Sequence, residues 1–130
     1  MTVDFVVHKH NAKRAGLHYD LRIQTTPKSK KMYSFAIKKG IPKEPGQKFL
    51  AVRQPLHDIW WKDFEGSLPE GEYGEGTLEI WDSGKADLLK DNGLVKVYDF
   101  HGHKMKGLYS LVYLSGENFL IVKNKPKYRD

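Results

Sequence analysis

The chain has 130 residues, the size of one domain with little room for a second core. Hydrophobic residues make up 39% and charged residues 29%, and no apolar run approaches the roughly 20 residues of a membrane-spanning helix, which excludes a disordered chain and a helical membrane protein. Lys and Arg exceed Asp and Glu by 22 to 16, a net charge of +6 that favours polyanionic partners, although lysines serving only solubility give the same count. The absence of cysteine excludes disulfides, thiolate metal sites and cysteine nucleophiles, so any metal must be held by His, Asp, Glu or water. The opening MTVDFVVHKH has no basic stretch ahead of an apolar one, so no secretory leader is expected and a cytoplasmic location is.

In chain order, side chains alternate with a period of two over residues 3–7, 17–23, 33–37, 49–53, 77–81, 94–100, 108–114 and 119–122, which predicts about eight short strands. No segment keeps apolar residues at helical spacing over three turns, which leaves helix to short connectors near 11–15 or 58–62. Breakers cluster at 42–46 and 69–76 and are read as loops within one domain. The 69–76 stretch carries three glutamates and no Lys-Ser/Thr after its glycines, so it is read as a tight turn and not a phosphate loop. The terminal NKPKYRD is read as a frayed tail. Many short strands between Gly, Pro and Asp turns hide their edges by closing into a barrel or stacking as a sandwich. The expected fold is mainly β: a single domain over 1–130, a closed or partly open β-barrel of about eight strands with one or two short helices.

Within the second strand, His18, Asp20 and Arg22 share one face and Tyr19 and Leu21 the other. If the polar face lines the interior of a small barrel, an imidazole, a carboxylate and a guanidinium there are costly unless paired or bound to something. A divalent ion such as Mn²⁺ or Zn²⁺ suits the imidazole and carboxylate, and a phosphate suits the arginine fork. His10, eight residues upstream, offers a third ligand; the alternative is that His18 and Asp20 simply pair on a solvated face. Arg53 lies four residues before His57 and by strand parity shares its face, so the two are expected to hold a phosphate together, with Lys39 at a strand end adding charge. The alternative for Lys38 and Lys39 is a solvated strand end. Tyr33, Trp60, Trp61, Tyr73 and Trp81 are able to stack bases, though aromatics of a small β-domain are mostly core. His8, His101 and His103 are read as exposed or locally hydrogen-bonded and not as ligands.

A series of motifs runs through nearly the whole chain: Phe5-Val6-Val7-His8-Lys9-His10, Leu17-His18-Tyr19-Asp20-Leu21-Arg22, Phe35-Ala36-Ile37-Lys38-Lys39-Gly40, Leu50-Ala51-Val52, Phe64-Glu65-Gly66, Pro69-Glu70-Gly71-Glu72-Tyr73-Gly74 and Trp81-Asp82-Ser83-Gly84, followed by residues 107–123. In that order they resemble the 3′-phosphoesterase domain of bacterial DNA ligase D and its stand-alone archaeal relatives. The resemblance implies a β-barrel enzyme that heals 3′ ends of DNA or RNA strands before ligation, removing a terminal ribonucleoside and then the remaining 3′-phosphate. Mn²⁺ is the metal implied, with Co²⁺ or Zn²⁺ as substitutes. The resemblance puts the metal ligands on His10, His18 and Asp20 and the phosphate contacts on Arg22, Lys39 and His57. Bacterial members carry an arginine where this chain has Phe49, and Arg53 is expected to replace it. The His10–His18 spacing is two residues longer than in many bacterial members, the acidic residue before His57 is missing from Gln54-Pro55-Leu56, and the family tyrosine after it corresponds to Trp61.

On this reading the partners are nucleic acid 3′ ends and a DNA ligase or polymerase, with no membrane and a monomeric protein, and His57 when protonated donates to the leaving oxygen. Two rivals remain open at this point. One is a non-catalytic nucleic-acid-binding β-barrel. The other is a jelly-roll iron oxygenase whose His-x-Asp pair is completed by His101 or His103.

Overall fold

A computed structural model describes residues 1–69 and 75–126. Strand β1 (Thr2–Ala12) and strand β2 (Gly16–Gln24) form an antiparallel hairpin whose register runs without a break from Phe5↔Ile23 to Ala12↔Gly16. Only residues 13–15 remain to turn the chain, and Gly16, at φ 79°, takes the left-handed conformation with which three-residue hairpin loops close. The short helix considered for 11–15 is therefore a strand end and a turn: the ladder satisfies the backbone through Ala12 and leaves no room for a helical one.

The remaining strands are β3 (Lys31–Ile37), β4 (Lys48–Asp58), β5 (Gly66–Ser67), β6 (Gly76–Asp91), β7 (Val95–His101), β8 (Lys106–Ser115) and β9 (Asn118–Lys123). Their order is β1-β2-β3-β4-β9-β8-β7-β6, and β6 pairs back onto β1 from Thr2↔Asp87 to Ala12↔Gly76, closing an eight-stranded antiparallel barrel. The two-residue β5 adds to the outer margin of β6, and a single 3₁₀ turn, Ile59–Asp63, stands where the 58–62 connector is expected. Strand β6 is far longer than the 77–81 segment its alternation predicts, because Asp82-Ser83-Gly84 interrupts the apolar pattern while the ladders to β1 and β7 continue. Of the expected 69–76 turn, residues 70–74 lie outside the described residues, as do 127–130 of the tail.

Every strand except β5 sends side chains of one parity into a shared interior: Val3, Phe5 and Val7 from β1, Leu21 and Ile23 from β2, Phe35 and Ile37 from β3, Ala51, Ala86, Phe100, Leu111 and Ile121 from the rest. Each large member such as Phe5, fully buried, is worth roughly 1.5–3 kcal/mol relative to an exposed one. The opposite parity of β1 and β2 therefore points out of the barrel. This corrects the expectation that His18, Asp20 and Arg22 line the interior: the interior is apolar, and these residues are buried on the outer wall.

One buried carboxylate holds an end of the barrel. Asp82 is 4% exposed and accepts backbone N–H bonds from Ser83 (2.9 Å), His103 (2.9 Å), Lys104 (2.9 Å) and Met105 (2.7 Å), wrapping the β7–β8 loop around itself and seating Met105 in the core. Gly102 is required there, since a Cβ would lie 2.3 Å from Asp82 Oδ2. Burial alone would raise the Asp82 carboxyl, but the four N–H donors outweigh it and hold it below the ordinary aspartate value.

A folded-state value below the unfolded one means that this anion's contribution is complete above the unfolded pKa of about 3.9 and is lost as pH falls further. Asp82→Asn turns an amide toward donors that need an acceptor. It should lose about 1–3 kcal/mol at neutral pH, read from the midpoint of urea unfolding, and its stability should depend less on acid than that of the parent protein.

Candidate metal and phosphate site

The β1–β2 register sets His10 directly opposite His18, and His8 opposite Asp20, so the longer spacing between the two histidines is absorbed by strand and turn. Asp20 Oδ2 lies 3.0 Å from His10 Nδ1, Oδ1 lies 3.1 Å from His18 Nε2, and the two imidazole centroids are 4.5 Å apart. All three residues are buried, and one potential ligand atom from each falls within 4.8 Å of the others. Burial opposes charge on Asp20, yet the imidazoles of His10 and His18 and the guanidinium of Arg22 more than offset it and pull the carboxyl well below the usual range. A buried carboxylate that stays ionised between two imidazoles is the donor set of a divalent transition-metal site.

His18 supplies a direct test of that fit. Its Nε2 is buried and makes no hydrogen bond, the contact with Asp20 Oδ1 at 3.1 Å lying out of line for one. An orphaned imidazole nitrogen beside an ionised carboxylate is costly unless it ligates something. His10, His18 and Asp20 thus fit a divalent cation through two nitrogens and one oxygen.

Arg22, 3% exposed, is fixed from three sides. Its Nη1 donates to His8 Nδ1 at 2.7 Å, its Nε to Ser34 Oγ at 3.3 Å, and its Nη2 lies 3.5 Å from Asp20 Oδ2. With Nδ1 accepting, His8 carries its proton on Nε2 and donates it to the Phe64 carbonyl at 2.8 Å. Burial, and next the Arg22 charge, lower the His8 pKa to about 4, so the ring is neutral at pH 7 and able to accept. His8 is fully buried and positions Arg22, a role sequence reading missed. Its parity with His10 was the available signal.

The Phe64 carbonyl belongs to a cover over this wall. Glu65 Oε2 accepts the Ile80 N–H at 2.7 Å, and β5 pairs Gly66↔Leu78 and Ser67↔Thr77, which pins the segment after the 3₁₀ turn to β6. Beneath it lies a cleft of about 470 Å³ lined by His10, Arg22, His57, Trp60, Trp61, Phe64 and Leu78, among others. A second cleft of about 600 Å³ runs along β3 and β4 and is lined by His18, Lys38, Lys39, Lys48, Phe49 and Gln54, among others. His10 lines the first and His18 the second, so the triad stands between the two.

His57 joins Arg22 in the first cleft; burial, and next the Arg22 charge, lower its pKa, and Nδ1–H donates to the Pro55 carbonyl at 2.9 Å. Lys39 shares the second cleft with His18. Arg53 joins neither, correcting the expectation that it shares the face of His57. Met32 pairs with His57 but Ser34 with Gln54, so β4 carries one extra residue between them, at Pro55-Leu56, where proline has no N–H to give the ladder. That bulge reverses the parity. Arg53 turns to Glu117 (2.7 Å) and the Phe119 ring (5.2 Å), and nothing in the structure puts it in the place of the arginine replaced by Phe49.

Of the aromatic candidates, Tyr33 and Trp81 pack against the core, each with a lysine over its ring, Trp60 and Trp61 line the first cleft, and Tyr73 lies outside the described residues. His101 approaches Asp87 (3.1 Å) and Asp99 (3.5 Å), and the His103 backbone serves Asp82, so neither completes a triad with His18 and Asp20 and the oxygenase reading falls. No helix among the described residues is long and apolar enough to cross a membrane.

The sequence matches, over residues 8–113, the family model described as the DNA Ligase D 3′-phosphoesterase domain. It is 36% identical over 132 aligned residues to the multifunctional non-homologous end joining protein LigD of Mycolicibacterium smegmatis, covering 93% of this chain and 17% of that protein. The corresponding protein of Pseudomonas aeruginosa is 38% identical over 113 residues, covering 83% of this chain and 13% of its own length. Mycobacterium tuberculosis LigD is 34% identical over 121 residues, 89% and 15% of the two lengths. The chain thus spans only 13% to 17% of the length of these curated relatives.

Removing the His8 imidazole leaves the Phe64 carbonyl and an Arg22 donor without their partner. His8→Ala should lower stability by about 1–3 kcal/mol, measured by urea unfolding. It should also speed hydrogen exchange of the backbone amides at 64–68 relative to those of β7 and β8, because its first effect is to release the cover.

Proposed function

Because the chain belongs to the DNA ligase D 3′-phosphoesterase domain family, we propose that it is a divalent-metal-dependent hydrolase that heals the 3′ ends of nucleic acid strands for repair and ligation. It removes a 3′-terminal ribonucleoside as a phosphodiesterase and then the 3′-phosphate as a phosphomonoesterase, leaving a 3′-hydroxyl. The observation that carries the reading is the buried His10–His18–Asp20 cluster, whose His18 Nε2 makes no hydrogen bond, beside a fixed Arg22 and between two clefts.

His10, His18 and Asp20 would hold the metal, with Mn²⁺ preferred and Co²⁺ or Zn²⁺ as substitutes. Bound there, the cation supplies Lewis-acid polarisation of the phosphoryl group and a source of nucleophilic water at neutral pH. The chain's own residues do the rest. Arg22, held by His8 and Ser34, arrives already oriented, so its charge offsets that developing on the phosphoryl oxygens without reorganisation. Lys39 adds positive charge from the second cleft. With Nδ1–H given to Pro55, His57 has Nε2 left for the phosphate, to which it donates only when the ring is protonated; its lowered pKa shifts that role toward acid. The whole chain acts as one domain and as a monomer, and its partners are 3′ ends with a ligase or polymerase that takes the healed product.

A non-catalytic binding barrel would need no ionised carboxylate held beside an orphaned imidazole, and the two readings separate on metal. Incubated with Mn²⁺, the protein should convert a 5′-labelled primer–template ending in one ribonucleotide to a 3′-phosphate and then a 3′-hydroxyl, and chelation should stop both steps. His18→Ala should abolish turnover, while Lys39→Ala should cost about tenfold, the size of one exposed cationic contact in a transition state. A His18→Ala protein of full activity would sink the proposal.

A further inference from the structure

The two clefts on either side of the triad differ in chemistry. The second is bordered by three exposed lysines, Lys38, Lys39 and Lys48. The first has none among its described lining residues; the Arg22 guanidinium and the His57 imidazole sit beside the triad, and the rest of its wall is largely apolar. Trp60 and Phe64 lie 5.4 Å apart with their planes 34° from one another, and Trp61 stands edge-on to both, 4.9 Å from Trp60 and 5.1 Å from Phe64. Trp60 nevertheless keeps 62% of its surface exposed, although no apolar side chain in the group is larger. An aromatic cluster held open in this way, on a 3₁₀ turn pinned between β4 and the β5–β6 ladder, is a stacking platform lacking its stacked partner.

A 3′-terminal ribonucleotide has a matching asymmetry. On one side of its scissile phosphorus runs the strand, with a phosphate at every step. On the other is a single nucleoside with a base, a ribose and no further phosphate. Resting on the phosphoesterase reading above, we infer that the Trp60–Trp61–Phe64 cleft is the pocket for the departing 3′-terminal nucleoside, with Trp60 stacking its base, and that the lysine cleft carries the phosphates of the upstream strand. In the diesterase step, a water oxygen bonds to phosphorus as the bond to the nucleoside's 5′-oxygen breaks. The proton that the attacking water gives up balances the one that this oxygen takes, and the nucleoside leaves the aromatic cleft, with the 3′-phosphate remaining on the strand. In the monoesterase step no nucleoside lies beyond the phosphorus. Trp60 is thus a specificity residue for the first reaction and has nothing to touch in the second.

The experiment compares kcat/KM of the full chain with Mn²⁺ on three 5′-labelled primer–templates: one ending in a ribonucleotide, one ending in a ribose that lacks its base, and one ending in a 3′-phosphate. Trp60→Ala should reduce kcat/KM on the ribonucleotide end by about tenfold or more, the worth of one base-stacking contact. The loss should appear chiefly in KM and should spare the 3′-phosphate end, and Trp60→Phe should recover part of it. The parent protein should show a similar loss on the baseless end, to which Trp60→Ala should be indifferent. Without metal, the base-bearing primer should quench tryptophan fluorescence of the parent protein more than the baseless one does. Equal loss on both reactions, no loss on either, or a parent protein that cuts the baseless end as fast as the base-bearing one overturns the nucleoside pocket while leaving the phosphoesterase reading intact. A parent protein that leaves every primer whole overturns that reading and the pocket with it.

Discussion

The site depends on one carboxylate kept ionised where water cannot reach it. Asp20 is 3% exposed, and an isolated anion so placed would take up a proton. It does not, because two imidazoles and a guanidinium surround it, and each is held by the barrel wall: His10 and His18 as cross-strand partners, Arg22 two residues along the same strand. The cost of burying so many polar groups is carried by the apolar interior on the other side of the same two strands. Val7 and Leu21 fill the core where His8 and Asp20 build the site, so fold and function occupy alternate residues of one hairpin.

Closure of the barrel completes the arrangement. Strand β6 returns to β1 and sets Leu78 opposite His10 and Ile80 opposite His8, after a bulge between Val7 and His8. The same strand anchors the cover through β5 and Glu65, and its Asp82 gathers the β7–β8 loop. A single long strand therefore joins the core, the roof of the first cleft and the loop that Asp82 gathers, and its Leu78 forms part of that cleft's wall.

Much of this was legible in the sequence, and what was not has physical causes. The period of two placed His18, Asp20 and Arg22 together and opposite Leu21, and it gave the strand count, because side-chain direction in a strand is a local property. Which face is the interior is not local: it depends on all eight strands, and here the polar face proved to be the outer one. Arg53 was misplaced by counting parity through Pro55, where a bulge adds a residue. His8 was passed over because its two partners, Arg22 and the Phe64 carbonyl, are 14 and 56 residues away. The aromatic cover was invisible because Ile59 to Phe64 has neither period, and only its pairing with β6 shows what it roofs.

The central claim is that the outer wall of the β1–β2 hairpin is built to hold a divalent metal. The most direct measurement is a crystal structure of the protein grown with Mn²⁺, with data collected at the manganese absorption edge. The account predicts an anomalous peak bonded at once to His10, His18 and Asp20, with Arg22 still tied to His8. A peak only at the more exposed Asp87, Asp99 and His101, whose ligand atoms also lie within 4.8 Å of one another, or no peak at either place, would contradict it.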